Sequence, residues 1–119
     1  MNATFTSKLN DRRTGQKKVR LMADLMLGKS VIEAKRILTF SPRKGAFLLL
    51  KTLNSAVASA KDSGVKLENL KIAKVLVDQG TPMKRAKAAS RGRMNTIHKP
   101  TSHITVSVTE VSTTKKEAK

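Results

Sequence analysis

The stretch from Gln79 to Ser102 constrains the fold more than any other part of the chain. Its 24 residues carry Lys84, Arg85, Lys87, Arg91, Arg93 and Lys99 and not one acid. On either side the pattern is that of a β-strand. Lys71 to Asp78 is rich in apolar and β-branched residues (Ile72, Val75, Leu76, Val77), and His103 to Val111 alternates Ile104, Val106 and Val108 with Thr105, Ser107 and Thr109. Connections in compact domains usually run about 4 to 6 residues, and longer ones tend to carry function. If the two strands pair, the segment between them must leave the body and return. The reading is an extended basic β-hairpin arm over 79–102, each limb of roughly 11 residues spanning about 35 Å at 3.3 Å per residue. Pro82 bends the chain at the base, and Ser90, Arg91 and Gly92 supply the reversal.

The N-terminal half has the helical period instead. From Thr14 to Leu27, the residues Val19, Leu21, Met22, Leu25, Met26 and Leu27 recur at helical spacing. Gly28 suits the left-handed position past a helix end, and Ser30 with Glu33 reads as a capping box opening a second helix, with Val31, Ala34, Ile37 and Leu38 turned inward. Ser41 and Pro42 read as the N-cap and first residue of a third helix, running to about Ser63 and carrying Ala46, Leu49, Leu50, Leu53, Val57 and Ala60 as one apolar stripe. Thr4 to Lys8 supplies a third strand. The fold class is α+β: three helices packed on a small three-stranded antiparallel sheet, with the hairpin protruding. The chain reads as one domain over 1–119, with 112–119 a polar, disordered tail.

Charge narrows the function. Lys and Arg number 25 against 8 Asp and Glu, a net charge of +17. Self-repulsion on this scale opposes a compact state unless a polyanion offsets it, and nucleic acid or an anionic membrane are the large candidates. The longest apolar run, Ala46 to Leu50, is far short of the ~18 residues of a membrane span, and no signal-peptide stretch opens the sequence, so the expectation is a soluble protein without a membrane partner. There is no cysteine, which fits a reducing compartment. The aromatic residues are Phe5, Phe40 and Phe47 alone. Single-strand readers stack bases on exposed rings, whereas Phe40 and Phe47 fall where a helical core would use them, so phosphate and shape are the expected modes of recognition.

Catalytic and cofactor readings fail on context. Ala23 with Gly28, Lys29 and Ser30 four residues on satisfies a relaxed phosphate-loop pattern, but Asp24 to Leu27 reads as apolar helix, with no glycine-rich turn to cradle phosphate. His98 and His103 have neither cysteine nor paired carboxylates near them, and the acids are scattered, so no enzyme, no metal site and no cofactor are expected. The cations crowd three places: Arg12, Arg13, Lys17, Lys18 and Arg20 about the first helix, Arg43 and Lys44 at the start of the third, and the arm. Six cations on an extended loop repel one another in water, which favours phosphate contact there. Arg43 and Lys44 put positive charge at a helix N-terminus, where the helix dipole disfavours it, and a nearby external anion would account for them.

Several runs of residues, taken in order, resemble one family closely. They are Gln16 to Leu25 with Gly28 and Lys29; Ser55 to Ala58 with Ala60; Val77, Asp78, Gln79 and Gly80; Met83, Lys84 and Arg85; Arg91, Gly92 and Arg93; and Thr101 to Val106. Over about Arg12 to Thr109 the chain is similar to the bacterial-type family of large-subunit ribosomal proteins numbered twenty-two. The family commonly has Pro-Arg where this chain has Ala88 and Ala89, and a basic residue where it has Pro100. The resemblance implies binding to large-subunit ribosomal RNA, and with the crowding of cations the residues expected to bind it are Arg12, Arg13, Lys17, Lys18, Arg20, Lys29, Arg43, Lys44, Lys84, Arg85, Lys87, Arg91, Arg93, Lys99 and His103. It implies support of subunit assembly and a hairpin tip (Ala86, Lys87, Ala88, Ala89, Ser90, Arg91) that lines the polypeptide exit tunnel. The partners would be ribosomal RNA, neighbouring large-subunit proteins and the nascent polypeptide, in a cytoplasmic or organellar ribosome. The alternative is a nucleoid-type architectural DNA-binding protein, which would normally be dimeric. Helix three offers no second apolar stripe for a partner, and no homo-oligomer is expected.

Overall fold

The computed structural model describes residues 3–111. The tail expected at 112–119 lies outside the described residues. Strand β1 (Thr4–Arg12) leads to helices α1 (Gln16–Met26), α2 (Val31–Phe40) and α3 (Lys44–Asp62). Strands β2 (Leu70–Gln79), β3 (Met83–Ala88), β4 (Met94–Lys99) and β5 (Ser102–Glu110) follow. The expected α+β class is what the chain adopts: β5 is the middle strand of a three-stranded sheet, antiparallel to β1 on one side and β2 on the other.

The clean alternation of β5 explains its central place. Ile104, Val106 and Val108 are fully buried under the helices. They stand on successive rungs with Leu9 and Val77, Ser7 and Val75, and Phe5 and Ile72. α1 contributes Val19, Met22, Ala23 and Met26 to the core and α2 contributes Val31, Ala34 and Leu38. α3 buries Ala46, Leu49, Leu53, Ala56, Val57 and Ala60, the wide apolar stripe a helix needs when it lies across a sheet.

Punctuation between the helices follows the sequence at Gly28, which takes φ +80°, and at Ser30, whose Oγ accepts from the Glu33 N–H at 3.3 Å. The capping box is only half formed, because the Glu33 carboxylate turns to Arg36 at 2.6 Å. α1 runs unbroken to Met26, which removes the phosphate-loop geometry. α3 begins two residues later than expected. Ser41 instead closes α2, its N–H returning to the Leu38 carbonyl at 3.3 Å, with the extended backbone (ψ 132°) that a residue before proline prefers. Arg43 becomes the N-cap of α3.

One expectation about side chains is corrected. Phe40 and Phe47 are not core residues: they are 82% and 64% exposed. Phe40 is the last residue of α2, and Phe47 shares the outer face of α3 with the exposed Lys51 and Asn54. Leu21 and Leu25 are likewise exposed, since α1 meets the body on one side only and the small Ala23 takes the inward place, and Leu27, just past the helix end, is exposed as well. Leu76 on β2 is also exposed.

Candidate nucleic-acid interface

The arm is a second, two-stranded sheet. β3 and β4 pair from Met83↔Lys99 to Ala88↔Met94 and, among the described residues, pair with no other strand. Its base is closed by Gln79↔Ser102, by the Gly80 N–H donating to the Thr101 carbonyl at 2.8 Å, and by the Thr101 hydroxyl donating to the Thr81 carbonyl at 2.8 Å. The reversal falls where the sequence put it. Ser90–Gly92 form a single 3-10 turn in which Arg91 (φ 61°) and Gly92 (φ 73°) take left-handed backbone, and the Ala89 N–H closes the loop on the Arg93 carbonyl at 2.7 Å.

Cross-strand register sorts the arm into two unlike faces, because alternate residues of a strand point to opposite sides. Arg85 faces Ile97, Lys87 faces Asn95 and Met83 faces Lys99, so Arg85, Lys87 and Lys99 share one face. The other face carries Ala86 opposite Thr96, Ala88 opposite Met94, and Lys84 opposite His98. Arg91 and Arg93 stand at the turn, both exposed. The sequence-predicted arm cations are therefore together on one strand pair but divided between its faces. The phase of that division depends on the turn, which composition does not reveal.

On the body, the loop from β1 to α1 holds the arm. The Arg13 guanidinium donates to the Pro100 carbonyl at 3.2 Å, the Ser102 hydroxyl donates to the Thr14 carbonyl at 2.6 Å, and the Lys44 ammonium donates to the Arg13 carbonyl at 2.8 Å. Beside them His103 Nδ1 accepts from the Asp11 N–H at 3.1 Å, and Asp11 itself adopts φ 56° at the irregular end of β1. Arg12, Lys17 and Lys18 are exposed at this end of the molecule. Arg20 lies over β2, where Nε and Nη2 both donate to the Val77 carbonyl, at 3.2 and 2.8 Å. Lys29 is not brought to the cluster: it sits past the far end of α1, whose stretch from Lys17 to Met26 alone spans about 13.5 Å along the axis.

Gly45 allows α3 to meet α1 here. A Cβ at this position would stand 3.2 Å from the Val19 Cα and 3.4 Å from the Lys18 carbonyl. The close approach brings Arg13, Lys18, Arg43 and Lys44 around one cleft, a convergence that residues 31 apart in sequence do not announce. Among the described residues no group of His, Cys, Asp or Glu is placed to hold a metal, and no helix is long and apolar enough to cross a membrane. The perturbed ionisations lie elsewhere. The Arg36 guanidinium holds the Glu33 carboxyl below its usual range, while burial and, after it, the charge of Lys61 push the Lys35 ammonium down.

Residues 7–109 match the model of one protein family, described as Ribosomal protein L22p/L17e. The match spans both the helical body and the arm, and it decides between the ribosomal and nucleoid readings. The chain belongs to this family: it is a structural constituent of the large ribosomal subunit, a participant in translation, and a binder of ribosomal RNA.

Proposed function

We propose that the arm forms part of the wall of the polypeptide exit tunnel, with the body seated near the tunnel exit on the outside of the subunit, and that its insertion among RNA helices supports subunit assembly in the cytoplasm. The observation that carries this reading is the acid-free arm itself, whose pairing partners are its own two strands. A thin cationic ribbon can enter between crowded phosphates where a globular domain cannot. The face bearing Arg85, Lys87 and Lys99 lies on RNA, joined by Lys84 at the base of the arm and by Arg91 and Arg93 at the turn. The face bearing Ala86 and Ala88, with Ala89 and Ser90 beyond it, looks into the lumen. Arg12, Arg13, Lys17, Lys18, Arg43, Lys44 and His103 bind RNA at the root of the arm, with Arg20 and Lys29 at its margins. The nascent polypeptide passes the small residues.

A photo-crosslinker at Ala88 in translating ribosomes is expected to capture nascent peptide, and one at Lys61, near the end of α3, is expected not to. Crosslinks from Ala88 to RNA or to other ribosomal proteins alone, with long nascent chains present, would make the arm a structural RNA clamp.

A further inference from the structure

We propose that the cleft at the root of the arm is a discrete phosphate-binding site, which seats the phosphodiester backbone of an RNA strand and thereby fixes the arm on the body. The inference rests on the ribosomal RNA-binding reading and assigns one phosphate contact within it. The cleft has a volume of about 690 Å³, within the range of about 300 to 1,000 Å³ typical of ligand sites. Its wall combines the cations Arg13, Lys18, Arg43 and Lys44 with Thr14, Gly15, Gly45 and Pro100, and contains no carboxylate.

Four like charges drawn from three segments around one concavity repel one another, so the arrangement is stabilised by an anion that enters among them. Two of the four are held in place by the fold itself, Arg13 on the Pro100 carbonyl and Lys44 on the Arg13 carbonyl. Lys18 and Arg43 are exposed and, among the described residues, have no such restraint, which leaves them free to close on a ligand. The helices add to this field. α1 and α3 both begin at the cleft, and their N-caps, Gly15 and Arg43, supply no side-chain hydrogen bond and no acidic residue follows in either first turn. Pro100 directly follows β4, the return limb of the arm, so a strand of RNA seated here touches the body and that limb together.

The test uses the full chain, with pyrophosphate and a short RNA duplex as probes and backbone amide NMR as readout. Pyrophosphate should shift the amides of Gly15 to Lys18 and of Arg43 to Ala46 in a saturable, one-to-one manner. Lys18→Ala combined with Arg43→Ala should weaken it by about tenfold or more, the scale of one or two lost charge-assisted hydrogen bonds. Lys84→Ala combined with Arg85→Ala should leave this site unchanged, and amide dispersion would verify that both variants remain folded. RNA should perturb the same amides and compete with pyrophosphate. Shifts spread evenly over every basic segment would overturn the site, and pyrophosphate binding without competition from RNA would make it a small-anion site only. Neither result depends on whether Ala88 reaches nascent peptide.

Discussion

Gly80 is the residue on which the arm turns out of the body. A Cβ there would run into the Thr101 hydroxyl oxygen and stand 3.3 Å from the His103 ring, so the position is closed to any larger residue unless the root opens. Gly80→Ala is therefore expected to lower stability by about 1 to 3 kcal/mol, the usual cost of overpacking. Urea melts would measure the loss, and amide exchange should locate it at Gly80 and Thr101, whose mutual hydrogen bond is strained first. Gly92 makes the contrast, because a Cβ there meets nothing and only its φ of +73° resists substitution. At this scale the sequence is partly legible. Gly28 and Ser30 announce their roles because capping is local chemistry, whereas Phe40 and Phe47 mislead because apolarity marks a core position only when the packing partner is known, and theirs is absent on the outer faces of α2 and α3.

At the scale of elements, the arm should dominate the salt dependence of RNA binding. If Lys84, Arg85, Lys87, Arg91, Arg93 and Lys99 each neutralise one phosphate, together they give a log-log slope of about −4 to −5, at 0.7 to 0.9 per phosphate. Replacing Lys84, Arg85, Arg91 and Arg93 by Ala should flatten the slope by about 3, on the same arithmetic. Filter-binding across a salt series reads this directly, and an unchanged slope would move the contacts to α1 and the cleft. The elements themselves were legible where period is strong. β5 and α3 follow their patterns to within about two residues, as does the turn at Ser90 to Gly92. β1 extends to Arg12, beyond the expected Lys8, because the pairing of Leu9 with Ile104 and of Arg12 with Ser102 across a bulge is a tertiary fact that the short N-terminal pattern does not encode. The cleft was half legible: Arg43 and Lys44 look misplaced for a helix start, yet only the contact of Gly45 with Val19 shows that Arg13 and Lys18 share their space.

As a whole molecule, the chain measures 70 × 24 × 18 Å, with a radius of gyration of 18.0 Å. A compact domain of this length would have about 13.5 Å. Small-angle scattering on the free protein should return the larger value, with a single monomeric species in sedimentation. A value near the compact one would show the arm folded back, and a dimer that grows with concentration would show that the exposed leucines and phenylalanines find a second copy. The isolated β3–β4 pair has a further consequence, for the life of the protein before assembly. Each of its strands has one open edge, a row of unpaired backbone donors and acceptors of the kind that templates aggregation. Lysine and arginine on such edges act as gatekeepers by keeping two copies apart. The charge that awaits RNA thus also guards newly made, unassembled protein, and that guard weakens as soon as salt shortens its reach, to about 3 Å at 1 M.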